Sequence, residues 1–328
     1  MTNGVLQAEV QAALREHFTL ERELPRGGMS RVFVATENAL RRQVVIKVLA
    51  PELAATLSAE RFKREITLAA RLQHPHIVPL LSAGLAGSHL YYTMPFVDGE
   101  SLRQRMDRER PMAFSDILSI LDAVARALAY AHEEGVVHRD IKPENVMFFH
   151  GQAVVLDFGI GKALISASTA ETELQRITQV GMSLGTPTYV APEQASGDPS
   201  LDHRADLYAL GVVAYEMITG HPPFTGRSPQ VVIEAHANRK PEPITARRPD
   251  VPKPLAAIVM RCLEKRPIDR PGSGGAIVQA LEGSSTPRYS GGSPVISRMA
   301  NAPLWVPWAL AGVASLAAIV MTMLYLGR

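Results

Sequence analysis

The chain has 328 residues, enough for one large domain or two small ones, and 46% apolar against 20% charged residues excludes wholesale disorder. A net charge of +2 gives no electrostatic footprint for nucleic acid, so no nucleic-acid partner is expected. The single cysteine, Cys262, excludes an intramolecular disulfide and fits a reducing compartment, where a small buried apolar role is expected.

The N-terminus has no basic start followed by an apolar run, so it does not read as a signal peptide. Val5, Leu6, Val10, Leu14 and Phe18 instead predict an amphipathic helix that packs on something, with residues 1–13 as a helical extension. ELPRGGMSRVFVA (23–35) reads as strand, glycine turn and strand; VVIKVL (44–49) and LYYTM (90–94) read as further strands. SAERFKREITLAARL (58–72) reads as a helix with Ser58 as its N-cap. From residue 99 helical periodicity dominates. DILSILDAVARALAYAHEEG (116–135) keeps one apolar face and stops at Gly135, and LYALGVVAYEMITG (207–220) is apolar throughout and also ends on glycine. The expected class is α+β in two lobes, a small sheet-rich one over about 14–97 and a larger helical one over about 98–282. No internal repeat is evident. Residues 283–303 are rich in Ser, Gly and Pro and read as a flexible linker. LWVPWALAGVASLAAIVMTMLYL (304–326) carries no charge. As a helix it would reach about 34 Å, against a hydrocarbon core of about 30 Å. Trp305, Trp308 and Tyr325 stand at its ends and Pro307 in its first turn, which predicts a transmembrane helix.

Four motifs carry chemistry. VIK stands at 45–47 with a helical Glu65 beyond it, HRDIKPEN at 138–145, DFG at 157–159 and GTPTYVAPE at 185–193. DFG alone is weak, but the order and the 17-position step from Asp140 to Asp157 make the set specific. The chain resembles the protein-kinase superfamily, and more narrowly the bacterial Ser/Thr kinases of eukaryotic-like type, over about residues 14–282. GGM (27–29), HPHIVPL (74–80), YYTMPFVDGESL (91–102), APEQASGDP (191–199) and HRADLYALGVVAYEM (203–217) carry the same flavour. The resemblance implies a bilobal kinase fold, ATP and Mg2+ (or Mn2+) as cofactors, and protein substrates presenting Ser or Thr.

Phosphoryl transfer from ATP is mostly positioning and charge neutralisation. By the resemblance, Lys47 contacts the α- and β-phosphates and Glu65 holds Lys47 by an ion pair. Asp157 and Asn145 bind metal, oxygen ligands that suit a hard cation. Asp140 orients the incoming hydroxyl and accepts its proton. Lys142 neutralises the transferring phosphate, and Thr186 helps admit a Ser or Thr substrate. Gly27, Gly28 and Val32 belong to the phosphate clamp. Val45 roofs the adenine, Met94 guards the back of the pocket, and the Pro95 carbonyl with the Val97 N–H form the hinge. His138 and Phe158 are read as packing partners, Asp206 as an anchor for the HRD turn, and Glu193 with Arg270 as a buried ion pair. His74 and His76 are read as packing residues, and the Arg41–Arg42 and Arg247–Arg248 pairs as solvated loop charges.

Three departures from the family pattern stand out. Pro25 and Ser30 replace the outer glycines of the clamp, and Val45 stands where alanine is usual, which weakens the clamp or crowds the pocket without abolishing it. Arg139 beside Asp140 implies control by a phosphate on the segment after Asp157. Thr178 is the favoured autophosphorylation site, with Ser183 and Thr172 next. The catalytic part needs ATP and should face the cytosol, tethered to the cell membrane by a single C-terminal span. Ala314 and Ala318, four apart in that span, would allow a homodimer. The alternative function is a catalytically impaired, nucleotide-binding pseudokinase acting as a membrane-anchored scaffold.

Overall fold

Successive residues on a strand point to opposite faces, so a strand apolar on both faces must be covered twice. The stretch around Lys47 meets that condition. The computed structural model describes residues 3–24, 30–50, 59–158 and 187–285. Its first helix, α1 (Asn3–Leu14), is followed by β1 (Phe18–Glu23), β2 (Ser30–Glu37) and β3 (Arg42–Leu49). Helix α2 (Ala59–Ala69) precedes β4 (Ser82–Ala86) and β5 (His89–Pro95). The five strands form one antiparallel sheet in the order β1-β2-β3-β5-β4.

Val44, Ile46 and Val48 of β3 join Tyr91 of β5 and pack with Leu6, Val10 and Leu14 of α1. Val45 and Leu49 turn the other way and pack with Phe62 and Ala69 of α2 and with Leu90, Tyr92 and Met94 of β5. Helix α1 thus packs on the sheet, as expected of an amphipathic helix. Gln11 fastens it to β1: its Nε2 donates to the Phe18 carbonyl at 3.1 Å and its Oε1 accepts from the Leu20 N–H at 2.7 Å. Two residues of the predicted apolar stripe fall elsewhere. Val5 is 45% exposed, and Phe18 is buried on β1 after the helix has ended.

The larger lobe follows with α3 (Leu102–Arg108) and α4 (Phe114–Glu133). Helix α3 starts on a capping box between Ser101 and Gln104. A 3-10 turn (Pro143–Asn145) leads into the hairpin β6 (Val146–Phe149) and β7 (Gln152–Val155). The hairpin turns on His150 and Gly151, at φ 48° and 79°, the left-handed pair that matches strand twist. Next come α5 (Pro192–Ala195), α6 (Arg204–Thr219), α7 (Pro229–Asn238), α8 (Ile244–Arg247), α9 (Lys253–Cys262), a 3-10 turn (Pro267–Asp269) and α10 (Gly274–Ser285). Helix α10 reaches three residues into the stretch expected as a linker.

Helix α6 is apolar all round and is buried from Ala205 to Ile218, the central post of the lobe. It ends where Gly220 takes a left-handed φ of 80° and its N–H bonds to the Glu216 carbonyl. Gly211 lets α9 come close: a Cβ there would lie 2.6 Å from the Cβ of Cys262. Cys262 is buried as expected, and burial pushes its thiol pKa up to about 12, far from reactive. Arg247 pairs with Glu242 at the surface, but Arg248 departs from the solvated reading. Its guanidinium donates to the Met112 and Ile218 carbonyls at 2.9 and 3.2 Å and lies 3.7 Å from the centre of the Phe114 ring. Among the described residues no helix is long and apolar enough to cross a membrane; the span expected at 304–326 lies outside them.

His236 links this packing to pH. It is fully buried, its Nδ1 2.8 Å from the Tyr208 hydroxyl and its ring against Phe224. Burial, with Lys265 nearby, pushes its pKa down to about 4. At intermediate pH the unfolded ring binds a proton that the folded ring refuses. The neutral ring's contribution is thus complete above about pH 6.5 and is lost as pH falls toward about 4. Denaturant titrations at pH 7 and pH 5 are expected to lose about 2 kcal/mol more in the wild type than in His236→Asn.

Candidate functional site

A carboxylate inside a helical lobe must be satisfied by donors, and Asp206 meets this with the backbone of the HRD turn. Its Oδ2 accepts the His138 N–H at 2.8 Å and faces His132 Nε2 at 2.8 Å, while its Oδ1 accepts the Arg139 N–H at 2.7 Å. Burial works against the carboxylate charge, but these donors outweigh it and hold the Asp206 pKa below the ordinary value. The turn so held includes Arg139 at φ 64°, a left-handed conformation that a non-glycine residue adopts at a cost. Gln194 supports it from the other side through the Arg139 carbonyl at 2.8 Å.

The turn presents its side chains to one another. Lys142 Nζ lies 2.7 Å from Asp140 Oδ2, and Asn145 Nδ2 donates to the Asp140 carbonyl at 2.7 Å and to Oδ2 at 3.1 Å. The second motif is bonded to the first: the Leu156 N–H donates to the Asn145 carbonyl at 2.9 Å, and His138 Nε2 meets the Leu156 carbonyl at 2.7 Å. The His138 ring packs edge-on against Phe158, centroids 4.7 Å apart, as expected for a pair that sets the Asp157 loop. Asp157 itself has φ 60°.

Lys47 crosses to this loop, with its Nζ 2.8 Å from Asp157 Oδ2. Burial disfavours both charges, but each stabilises the other: the Lys47 pKa is held above its usual value and that of Asp157 below. The expected partner of Lys47 was Glu65. Glu65 is half-buried on α2, and among the described residues no ion pair joins it to Lys47. The lysine has taken the carboxylate on the DFG loop instead. Val32 lies opposite Lys47 on β2, and Val45 lies opposite Met94, both of these buried. Pro95 ends β5 and Val97 follows, half-buried. Gly27, Gly28, Thr172, Thr178, Ser183 and Thr186 lie outside the described residues, as does Pro25.

Glu193 and Arg270 form the expected ion pair, two parallel bonds of 2.6 and 2.8 Å with Arg270 1% exposed. The remaining guanidinium hydrogens reach the carbonyls of Glu264, Arg204 and Lys265, so the buried charge is fully satisfied. His74 stacks on Tyr130 and His76 bonds the Ala153 carbonyl at 2.9 Å, both packing roles as expected.

Three features were not anticipated. His132 completes the shell of Asp206, and Tyr92 donates to Asp157 Oδ1 at 3.1 Å. The third is a cluster around Arg103 of α3. Arg103 bonds Glu216 of α6 at 2.9 Å and Glu144 of the HRD turn at 3.1 Å, and also donates to the Tyr189 hydroxyl; Tyr189 in turn donates to Glu216 at 2.5 Å. Glu216 is, with Asp206, one of two carboxylates buried in a largely apolar helix, and that was the available signal. For Tyr92 the signal was its place two residues before Met94, on the same strand face.

The protein kinase domain model matches residues 18–282. Serine/threonine-protein kinase PknB of Mycobacterium tuberculosis is 40% identical over 263 residues, covering 78% of this chain and 41% of that protein. Serine/threonine-protein kinase pkn3 of Myxococcus xanthus is 38% identical over 296 residues, covering 85% of this chain and 53% of that one. The chain thus spans between two-fifths and about half of these relatives. A crystal structure of Rad53 1-466 with AMP-PNP shares the fold, at a TM-score of 0.66 and 20% identity over 82% of this chain and 65% of that one.

Removing one partner of the Glu193–Arg270 pair strands a buried charge. Arg270→Met is expected to lower stability by about 3–5 kcal/mol, read by urea denaturation, whereas the double variant with Glu193→Leu recovers a large part of that loss.

Proposed function

This chain belongs to the protein kinase domain family, and from that premise we propose that it transfers the γ-phosphoryl group of ATP to Ser or Thr hydroxyls of protein substrates. One observation carries the reading: Asp140, Lys142 and Asn145 are held within hydrogen-bond reach of one another, on a turn bonded directly to the strand that delivers Asp157. Asp140 orients the hydroxyl and takes its proton, and Lys142 beside it faces the transferring phosphate. The donor set fits magnesium. Asp157 offers a carboxylate, and Asn145 uses its Nδ2 on Asp140, which leaves Oδ1 for a cation. Bound magnesium would neutralise charge on the phosphates. Lys47 serves the phosphates once it leaves Asp157 for Glu65. Val45, Met94, Pro95 and Val97 frame the adenine, and Gly27 and Gly28 clamp the phosphates.

Control by autophosphorylation belongs to the same reading. Arg139 makes no ion pair among the described residues, and its Nε is buried without a hydrogen-bond partner. A phosphate on Thr178, or on Ser183 or Thr172, would supply the missing anion. Residues 304–326 anchor the chain to the cell membrane as a single span, with the catalytic part in the cytosol and Ala314 and Ala318 on a pairing face. A second reading, a nucleotide-binding scaffold, is favoured by the pairing of Lys47 with Asp157 in place of Glu65.

A transfer assay with labelled ATP and a generic Ser/Thr protein separates the two. Asp140→Asn is expected to lower the rate by about 10²–10⁴. A wild-type rate no higher than that of Asp157→Asn would favour the scaffold. Mass spectrometry of protein made with ATP is expected to find phosphate on Thr178 in the wild type and none in Asp157→Asn.

A further inference from the structure

Among the described residues, Tyr92 is the one hydroxyl in an apolar cluster of the small lobe. It is 2% exposed on a strand face shared with Leu90 and Met94 and packed with Val45, Leu49 and Phe62. A phenylalanine would fill that space equally well, and a buried phenol needs a partner. Its partner is Asp157, whose Oδ1 accepts the hydroxyl at 3.1 Å while Oδ2 faces Lys47 at 2.8 Å. The two donors rise from one rung of the sheet, since Lys47 on β3 pairs with Tyr92 on β5. One donor is thus given to each oxygen, which fixes the plane of the carboxylate. This matters because the Asp157 backbone sits at φ 60°, where a non-glycine residue must be held by its surroundings.

The two donors differ in what they can do next. Lys47 has a flexible stem and other anions to serve. Tyr92 is a ring locked in a strand bonded on both sides, to β3 and to β4. We propose that Tyr92 is a positioning residue for Asp157: its hydroxyl stays on Oδ1 and aims Oδ2 at the cation once Lys47 has moved to the phosphates. Carboxylates that ligate metals are commonly oriented by such outer hydrogen bonds, and losing one weakens metal binding by about 10–100-fold. The proposal rests on reading Asp157 as the metal ligand, so that residue is tested alongside.

The experiment titrates Mn2+ into the full chain saturated with ADP and follows free Mn2+ by electron paramagnetic resonance. Metal-free ADP affinity is measured in parallel by calorimetry. Tyr92→Phe is expected to weaken Mn2+ binding about 10-fold while metal-free ADP affinity stays at the wild-type value. Replacing Tyr92 with 3-fluorotyrosine, which keeps the donor, is expected to retain wild-type Mn2+ affinity and so separates the hydroxyl from packing. Asp157→Asn is expected to lose the Asp157-dependent Mn2+ site. Wild-type Mn2+ affinity in Tyr92→Phe, or an equal loss of metal-free ADP affinity, would overturn the role of Tyr92 and leave Asp157 as a ligand. Unchanged Mn2+ binding in Asp157→Asn would overturn that ligand assignment and the proposal with it.

Discussion

The HRD turn exists because one buried carboxylate holds it. Asp206 sits on a helix that is buried on every face, and its two oxygens take the N–H groups of His138 and Arg139 and the ring of His132. Without those acceptors, two backbone donors would face the core unpaired and Arg139 would have no reason to adopt a positive φ. Asp140, Lys142 and Asn145 are placed by the turn, and Leu156 and Asp157 by its bond to the next strand. The geometry of the site is thus inherited from α6, the most deeply buried of the described helices.

Charge inside this fold is handled consistently. Arg270 has every donor occupied, and Arg103 is shared between two glutamates and a tyrosine from three other segments. Each cluster joins elements far apart in sequence. Such pairs add little net stability over apolar packing, but they strongly penalise arrangements that leave one member alone. Here they tie the segment that carries Tyr189 and Glu193 to the lobe beneath it.

The small lobe has a different problem, a sheet that needs cover on both sides. Helix α1 covers one face and α2 the other, so successive residues of β3 lead to different neighbours. Lys47 shares the α2 face with Val45 and Leu49. Its partner on β5 is Tyr92, which is why a phenol and an ammonium reach the same carboxylate.

Much of this was legible in residue order. Strand and helix periods around 44–49, 90–94, 116–135 and 207–220 reflect local geometry, and a chain cannot hide them. The motifs announced Asp140, Asn145, Asp157 and Lys47, and the resemblance they carry implied the anchor at Asp206, the packing of His138 on Phe158 and the pair Glu193–Arg270, three contacts that form as expected. Tertiary structure alone decided the partners. Lys47 takes Asp157 and not Glu65, Arg248 leaves solvent for the Phe114 ring, and Val5 faces outward although its neighbours pack. Sequence sets which groups need a partner, because burial and charge are properties of residue types in a pattern. Which group answers depends on distances between elements remote in the chain, and those exist only once the sheet and α6 have packed.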